Sequence, residues 1–64
     1  MQNLKFLRTK AGLTQEQLAQ KAGVSRVTIA LLESGKTREV KSSTIIKLAD
    51  ALNIDIDTLL SPES

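Results

Sequence analysis

The sequence predicts an all-α fold of five short helices, and two observations carry that reading. No segment alternates apolar and polar residues with the period of two that a half-buried strand needs, and the β-branched residues are scattered. Helix ends, by contrast, are signalled again and again by capping residues and by glycines that stop a turn.

The first helix carries Leu4, Leu7 and Ala11 at spacings of three and four, and Gly12 stops it. Thr14 caps a second helix, with Gln17 three residues on to complete a capping box; Leu13 before the cap and Leu18 after it form a hydrophobic staple. The same spacing recurs at Val24, Ser25 and Ile29, and again at Ile54, Asp55 and Leu59, marking two further helix starts. Helix two is therefore expected over Gln15 to Ala22, with Gly23 free to turn left-handed, and helix three over Arg26 to Ser34, ended by Gly35. Residues 36 to 42, KTREVKS, lack an apolar stripe and read as a loop. Helix four starts at Ser42 or Ser43 and runs to Leu52 with Ile45, Leu48, Ala49 and Leu52 inward; Asn53 ends it, and Asp55 opens a short fifth helix through Leu60 before Pro62. Connections this short favour a compact bundle.

A chain of 64 residues is one domain, 1–64, with a marginal core and no disulfide to staple it, since cysteine is absent. Histidine is absent too, the acids are scattered, and the length leaves little room for a pocket, so neither enzymatic chemistry nor a metal site or cofactor is expected. MQNLKFLRTK lacks the apolar run of a signal peptide, and the longest apolar run anywhere is IALL; a cytoplasmic protein without a membrane partner is expected. The net charge of +2 conceals an asymmetry: residues 1 to 47 hold all nine Lys and Arg against three acids, and residues 48 to 64 hold four acids and no base. That pattern is either uneven surface sprinkling or one end attracted to polyanions.

Helix three raises a question. With Ile29 and Leu32 as its buried pair, Val27, Ala30 and Leu31 fall on the other side at about 100° per residue, and so short a chain has little protein to cover them. Only Gly23 and Val24 separate Ala22 from Ser25, and a linkage this tight makes the two helices cross steeply, with small Ala19 permitting a close approach. Taken alone, this is either a helix-turn-helix or an ordinary αα corner.

The stretch GLTQEQLAQKAGVSRVTIALLESGK resembles the phage repressor and Cro-type helix-turn-helix family, the lambda-repressor-like DNA-binding domain. The resemblance is carried by Gly12-Leu13-Thr14-Gln15, Leu18-Ala19, Ala22-Gly23-Val24-Ser25, Thr28-Ile29, Leu32-Glu33 and Gly35-Lys36, and LADALNIDIDTLL resembles the family's fourth and fifth helices. It implies a compact five-helix domain with the helix-turn-helix at helices two and three. It also implies a sequence-specific double-stranded DNA binder, most often a dimeric transcriptional repressor on a pseudo-palindromic operator, with no small-molecule ligand.

Such a motif lays its second helix in the major groove, so Arg26, Val27, Thr28, Ala30 and Leu31 are the expected base-contacting residues. The thymine methyl is an apolar target suited to Val27, Ala30 and Leu31, positions where family members usually carry polar residues. Arg26 is placed for a bidentate guanine contact or, equally, a phosphate; Thr28 for a base, a phosphate or its own backbone. Phosphate contacts are expected from Arg8, Thr14, Gln15, Ser25, Ser34, Lys36, Arg38 and Lys41. In the resembling family the Gln15 position touches a phosphate, which simple capping would not exclude. The loop is about one residue longer than is common in the family and contains Glu39. Family members also commonly pair a basic residue of helix one with the acid ending helix three, here Arg8 and Glu33, read as a surface pair of geometric rather than energetic value.

Two further questions stay open at the level of sequence. Ile56 and Leu60 either form part of a dimer surface or complete the monomer core. The Val27-Ala30-Leu31 face would serve equally to bury a partner protein, as in antitoxin or adaptor proteins of this fold.

Overall fold

The computed structural model describes residues 3–36 and 40–61. The elements are α1 (Leu4–Lys10), α2 (Gln15–Ala22), α3 (Arg26–Ser34), α4 (Ser42–Leu52) and α5 (Ile56–Leu60), with no strand among the described residues. Helices α2, α3 and α4 have the expected bounds. The all-α reading holds, and no described helix is long and apolar enough to cross a membrane.

The turns are built by one device used three times. Gly12, Gly23 and Asn53 adopt left-handed backbone at φ 77°, 74° and 57°. In each case the next amide returns to a carbonyl five residues back: Leu13 to Arg8 at 3.1 Å, Val24 to Ala19 at 3.0 Å, and Ile54 to Ala49 at 3.0 Å. Those same residues, Leu13, Val24 and Ile54, precede the caps of the following helices and pack half-buried against the core. One residue thus closes the helix behind it and staples the helix ahead, which is why the connections can be so short.

Each helix contributes one large aliphatic side chain that is wholly sealed from solvent: Leu4, Leu18, Ile29, Leu48 and Leu59. Burial of each is worth about 1.5–3 kcal/mol, against the ordering entropy of the chain. Ala19, Ala22, Ala49 and Ala51 fill the space between them, and small residues let α2 pack closely on both α3 and α4.

One expectation needs correction, and the packing adds detail to others. Ala11 is exposed and serves as the C-cap of α1 rather than extending its apolar stripe, while Leu7 is half-buried. The N-cap of α4 is Lys41, held by backbone alone, and Asp55 stands at the N-cap of α5 without a side-chain capping bond. Ile56 and Leu60 do not complete the core; they are 41% and 53% exposed. Val40, the lone apolar residue of the polar loop, packs against the core. Asn3 is buried and donates from Nδ2 to the Thr58 carbonyl at 2.7 Å, tying the start of α1 to α5.

Candidate nucleic-acid interface

The candidate interface is assembled from the N-terminus of α2, the outer face of α3 and the basic residues after it. The α2 start is fully capped: Thr14 Oγ1 accepts the Gln17 amide at 3.0 Å, and Gln17 Oε1 accepts the Thr14 amide at 2.9 Å. The Thr14 hydroxyl hydrogen is not used by either bond. Gly23 then reverses the chain, and Ser25 starts α3 by accepting the Thr28 amide on Oγ at 3.1 Å. The Ser25 and Thr28 hydroxyls lie 2.8 Å apart. Two hydroxyl hydrogens with one used between them leave one that points elsewhere.

Helix α3 has two unlike sides. Ile29 and Leu32 are buried, whereas Val27 is 61% and Leu31 40% exposed, with Arg26 exposed and Thr28 and Ala30 half-buried. The other described residues leave the outer face of this helix open. Lys36 and Lys41 are exposed beyond it, on either side of the loop; Arg38, expected as a phosphate contact, lies outside the described residues. Ser34 donates its hydroxyl to the Leu31 carbonyl at 2.9 Å and accepts the Lys36 amide at 3.3 Å, so its single hydrogen is spent on closing α3.

Arg8 and Glu33 are not the surface pair expected from sequence. Their side chains are 13% and 5% exposed, with Arg8 Nε 2.6 Å from Glu33 Oε2 and Nη2 3.2 Å from Oε1. Arg8 Nη1 also donates to the Leu13 carbonyl at 2.7 Å. Three of the five guanidinium hydrogens are thereby turned inward. Glu33 Oε1 accepts a further bond from Gln15 Nε2 at 3.1 Å, a link with no sequence signal because it joins residues 18 apart. Burial pushes the Glu33 carboxyl up, but the bonds from Arg8 and Gln15 and the positive charges of Arg8 and Lys5 outweigh it, and the group is held below its ordinary value. The Arg8 guanidinium is correspondingly raised by its bond to Glu33, against an opposing effect of burial.

Among the described residues, no group of three or more His, Cys, Asp or Glu side chains is placed to hold a metal ion. What is assembled is a capped helix start, a protruding helix with an uncovered face, and flanking cations.

Comparison with known proteins agrees. A family model described as helix-turn-helix matches residues 4–59. The chain is 42% identical over 59 residues to the HTH-type transcriptional repressor RghR of Bacillus subtilis (strain 168), covering 92% of this chain and 44% of that protein. It is 42% identical over 60 residues to Control protein C.SmaI of Serratia marcescens, covering 94% of this chain and 70% of that one. In structure it is similar to a chain of a SinR protein/SinI protein complex, with TM-score 0.89 and 27% identity over 94% of this chain and 58% of that chain. The chain spans about half the length of several relatives, 44% of RghR and 53% of YqaE among them. The chain belongs to the helix-turn-helix family, in its lambda-repressor-like form.

Proposed function

We propose that this domain is a sequence-specific binder of double-stranded DNA, acting in the cytoplasm as a transcriptional repressor, with α3 inserted in the major groove. The observation that supports it most is the uncovered apolar face of α3, where Val27 and Leu31 stay exposed beside a sealed Ile29 and Leu32. An apolar face at this position of a helix-turn-helix suits thymine methyl groups, and Arg26 at the helix start suits a guanine edge or a phosphate. Thr28 and Ala30 lie half-buried at the margin of the same face.

Phosphates are held by the start of α2, where the helix dipole, the Thr14 hydroxyl and the Gln15 amide favour an anion, and by Lys36, Arg38 and Lys41. The Ser25–Thr28 hydroxyl pair has one hydrogen for a phosphate. Arg8 serves chiefly as a brace, with at most two donors left for DNA, and Ser34 reaches a phosphate only by giving up its bond to Leu31.

A single module buries a small interface, so the domain works as a homodimer on half-sites about 34–36 Å apart. The exposed Ile56 and Leu60 of α5 supply the self-association surface. Selection of bound sequences from a random duplex pool tests this reading: an enriched pseudo-palindrome supports specificity and two-fold symmetry together, and no enrichment overturns both.

A protein partner on the same α3 face is the second reading, since the structurally similar chain was solved in a protein–protein complex. An apolar protein interface would show almost no salt dependence, whereas DNA affinity falls with log salt at about −0.9 per phosphate neutralised.

A further inference from the structure

The Glu33 carboxylate lies where three helices meet. It stands in the last turn of α3, it is gripped by Arg8 of α1, and its Oε1 accepts from Gln15, the first residue of α2. Arg8 Nη1 continues to the Leu13 carbonyl, one residue before the Thr14 cap. We infer that Glu33 is a positioning residue for DNA recognition, one that presets the Gln15 amide at the α2 entrance and locks it to the recognition helix. This inference rests on the reading that Gln15 meets a phosphate.

The chemistry of the three groups leaves little freedom. An ionised carboxylate only accepts, so the Gln15 amide must present Nε2 rather than Oε1 to it. One Nε2 hydrogen is then committed to Glu33, and the second is left for an acceptor outside the protein. The same carboxylate is prevented from turning away by the two-point grip of Arg8. A glutamine at a helix start without such a partner samples several rotamers, and ordering it on contact with DNA costs about threefold to tenfold in affinity. With Glu33 in place that ordering is done before the duplex arrives. Because Glu33 itself belongs to α3, the phosphate contact and the base-reading face also move as one piece. No such function follows from Arg8 and Glu33 alone; it is the third bond, from Gln15, that connects the ion pair to the interface.

The test is a double-mutant cycle on affinity for a duplex taken from the random-pool selection, using the full chain. Gln15→Ala and Glu33→Gln should each weaken binding about threefold to tenfold. The double variant should bind no more weakly than Gln15→Ala, because Glu33 then has nothing to position. Additive losses would overturn the inference while leaving the DNA reading intact, since Glu33 would then act only through the packing of α3. Unchanged affinity in Gln15→Ala would overturn it as well, and absence of wild-type binding to any duplex would remove the functional reading beneath it.

A measurement on the unmodified protein guards against Glu33→Gln failing to fold. In the side-chain amide NMR spectrum, the Gln15 Nε2 signals should be more ordered than those of exposed Gln20. They should also shift as the pH falls through the titration of Glu33, the charged groups acting on that carboxyl being Arg8 and Lys5 of α1. Gln15 signals as mobile as those of Gln20, or indifferent to that titration, would overturn the inference without any DNA in the experiment.

Discussion

Val27 and Leu31 stand one helical turn apart on α3, both open to solvent, while Ile29 between them is wholly buried. A short helix in a 64-residue chain therefore shows apolar side chains on the side its own fold leaves uncovered. Because neither residue supports the core, Val27→Ala and Leu31→Ala should leave folding stability within about 0.5 kcal/mol of wild type by urea denaturation. The same substitutions should weaken binding to the selected duplex and narrow the gap to random duplex.

Ile29 and Leu48 give the opposite pattern. Both are fully sealed, and truncation to Ala should cost about 2–5 kcal/mol, comparable to the whole stability of so small a domain. Far-ultraviolet circular dichroism should show these variants largely unfolded at room temperature; a cooperative transition near that of wild type would contradict the core assignment.

The helix starts are predicted to differ in sensitivity. Ser25 accepts the Thr28 amide and Thr14 the Gln17 amide, so replacing either by Ala should cost about 1 kcal/mol. Asp55 makes no side-chain capping bond, and Asp55→Ala should cost only a few tenths, roughly the dipole contribution at a helix end. Thermal unfolding of the three variants side by side checks the ranking.

Acid should act through Glu33. Its carboxyl is lower in the folded state than the ordinary 4.5, so the unfolded chain takes up the proton first as the pH falls. The stabilisation is therefore complete above the ordinary value and is lost as the pH drops from there through the folded value. Denaturation midpoints measured across that window should fall more steeply for wild type than for Glu33→Gln, and parallel curves would contradict the assignment.

Much of the fold was legible because its determinants are local. The Thr14–Gln17 box, the glycine turns at 12 and 23, and the staples at Leu13, Val24 and Ile54 act within about six residues, a reach at which spacing alone carries the geometry. What escaped is tertiary. Asn3 meets Thr58 across 55 residues, and Gln15 meets Glu33 across 18. The burial of Arg8 and Glu33 depends on where α1 lies against α3, and five residues of α5 are too few for periodicity to say which side of Ile56 and Leu60 faces in. The outer face of α3 was readable for a different reason: once Ile29 and Leu32 are inside, the helical period leaves Val27 and Leu31 no other place.

The salt dependence of affinity for the selected duplex, measured in parallel for wild type and Leu31→Ala, bears most directly on the role of that face. Two parallel lines of log affinity against log salt are expected, each falling at about −0.9 per neutralised phosphate, with Leu31→Ala displaced to weaker binding. A slope near zero, or coincident lines, would contradict the assignment of α3 as the helix that enters the groove.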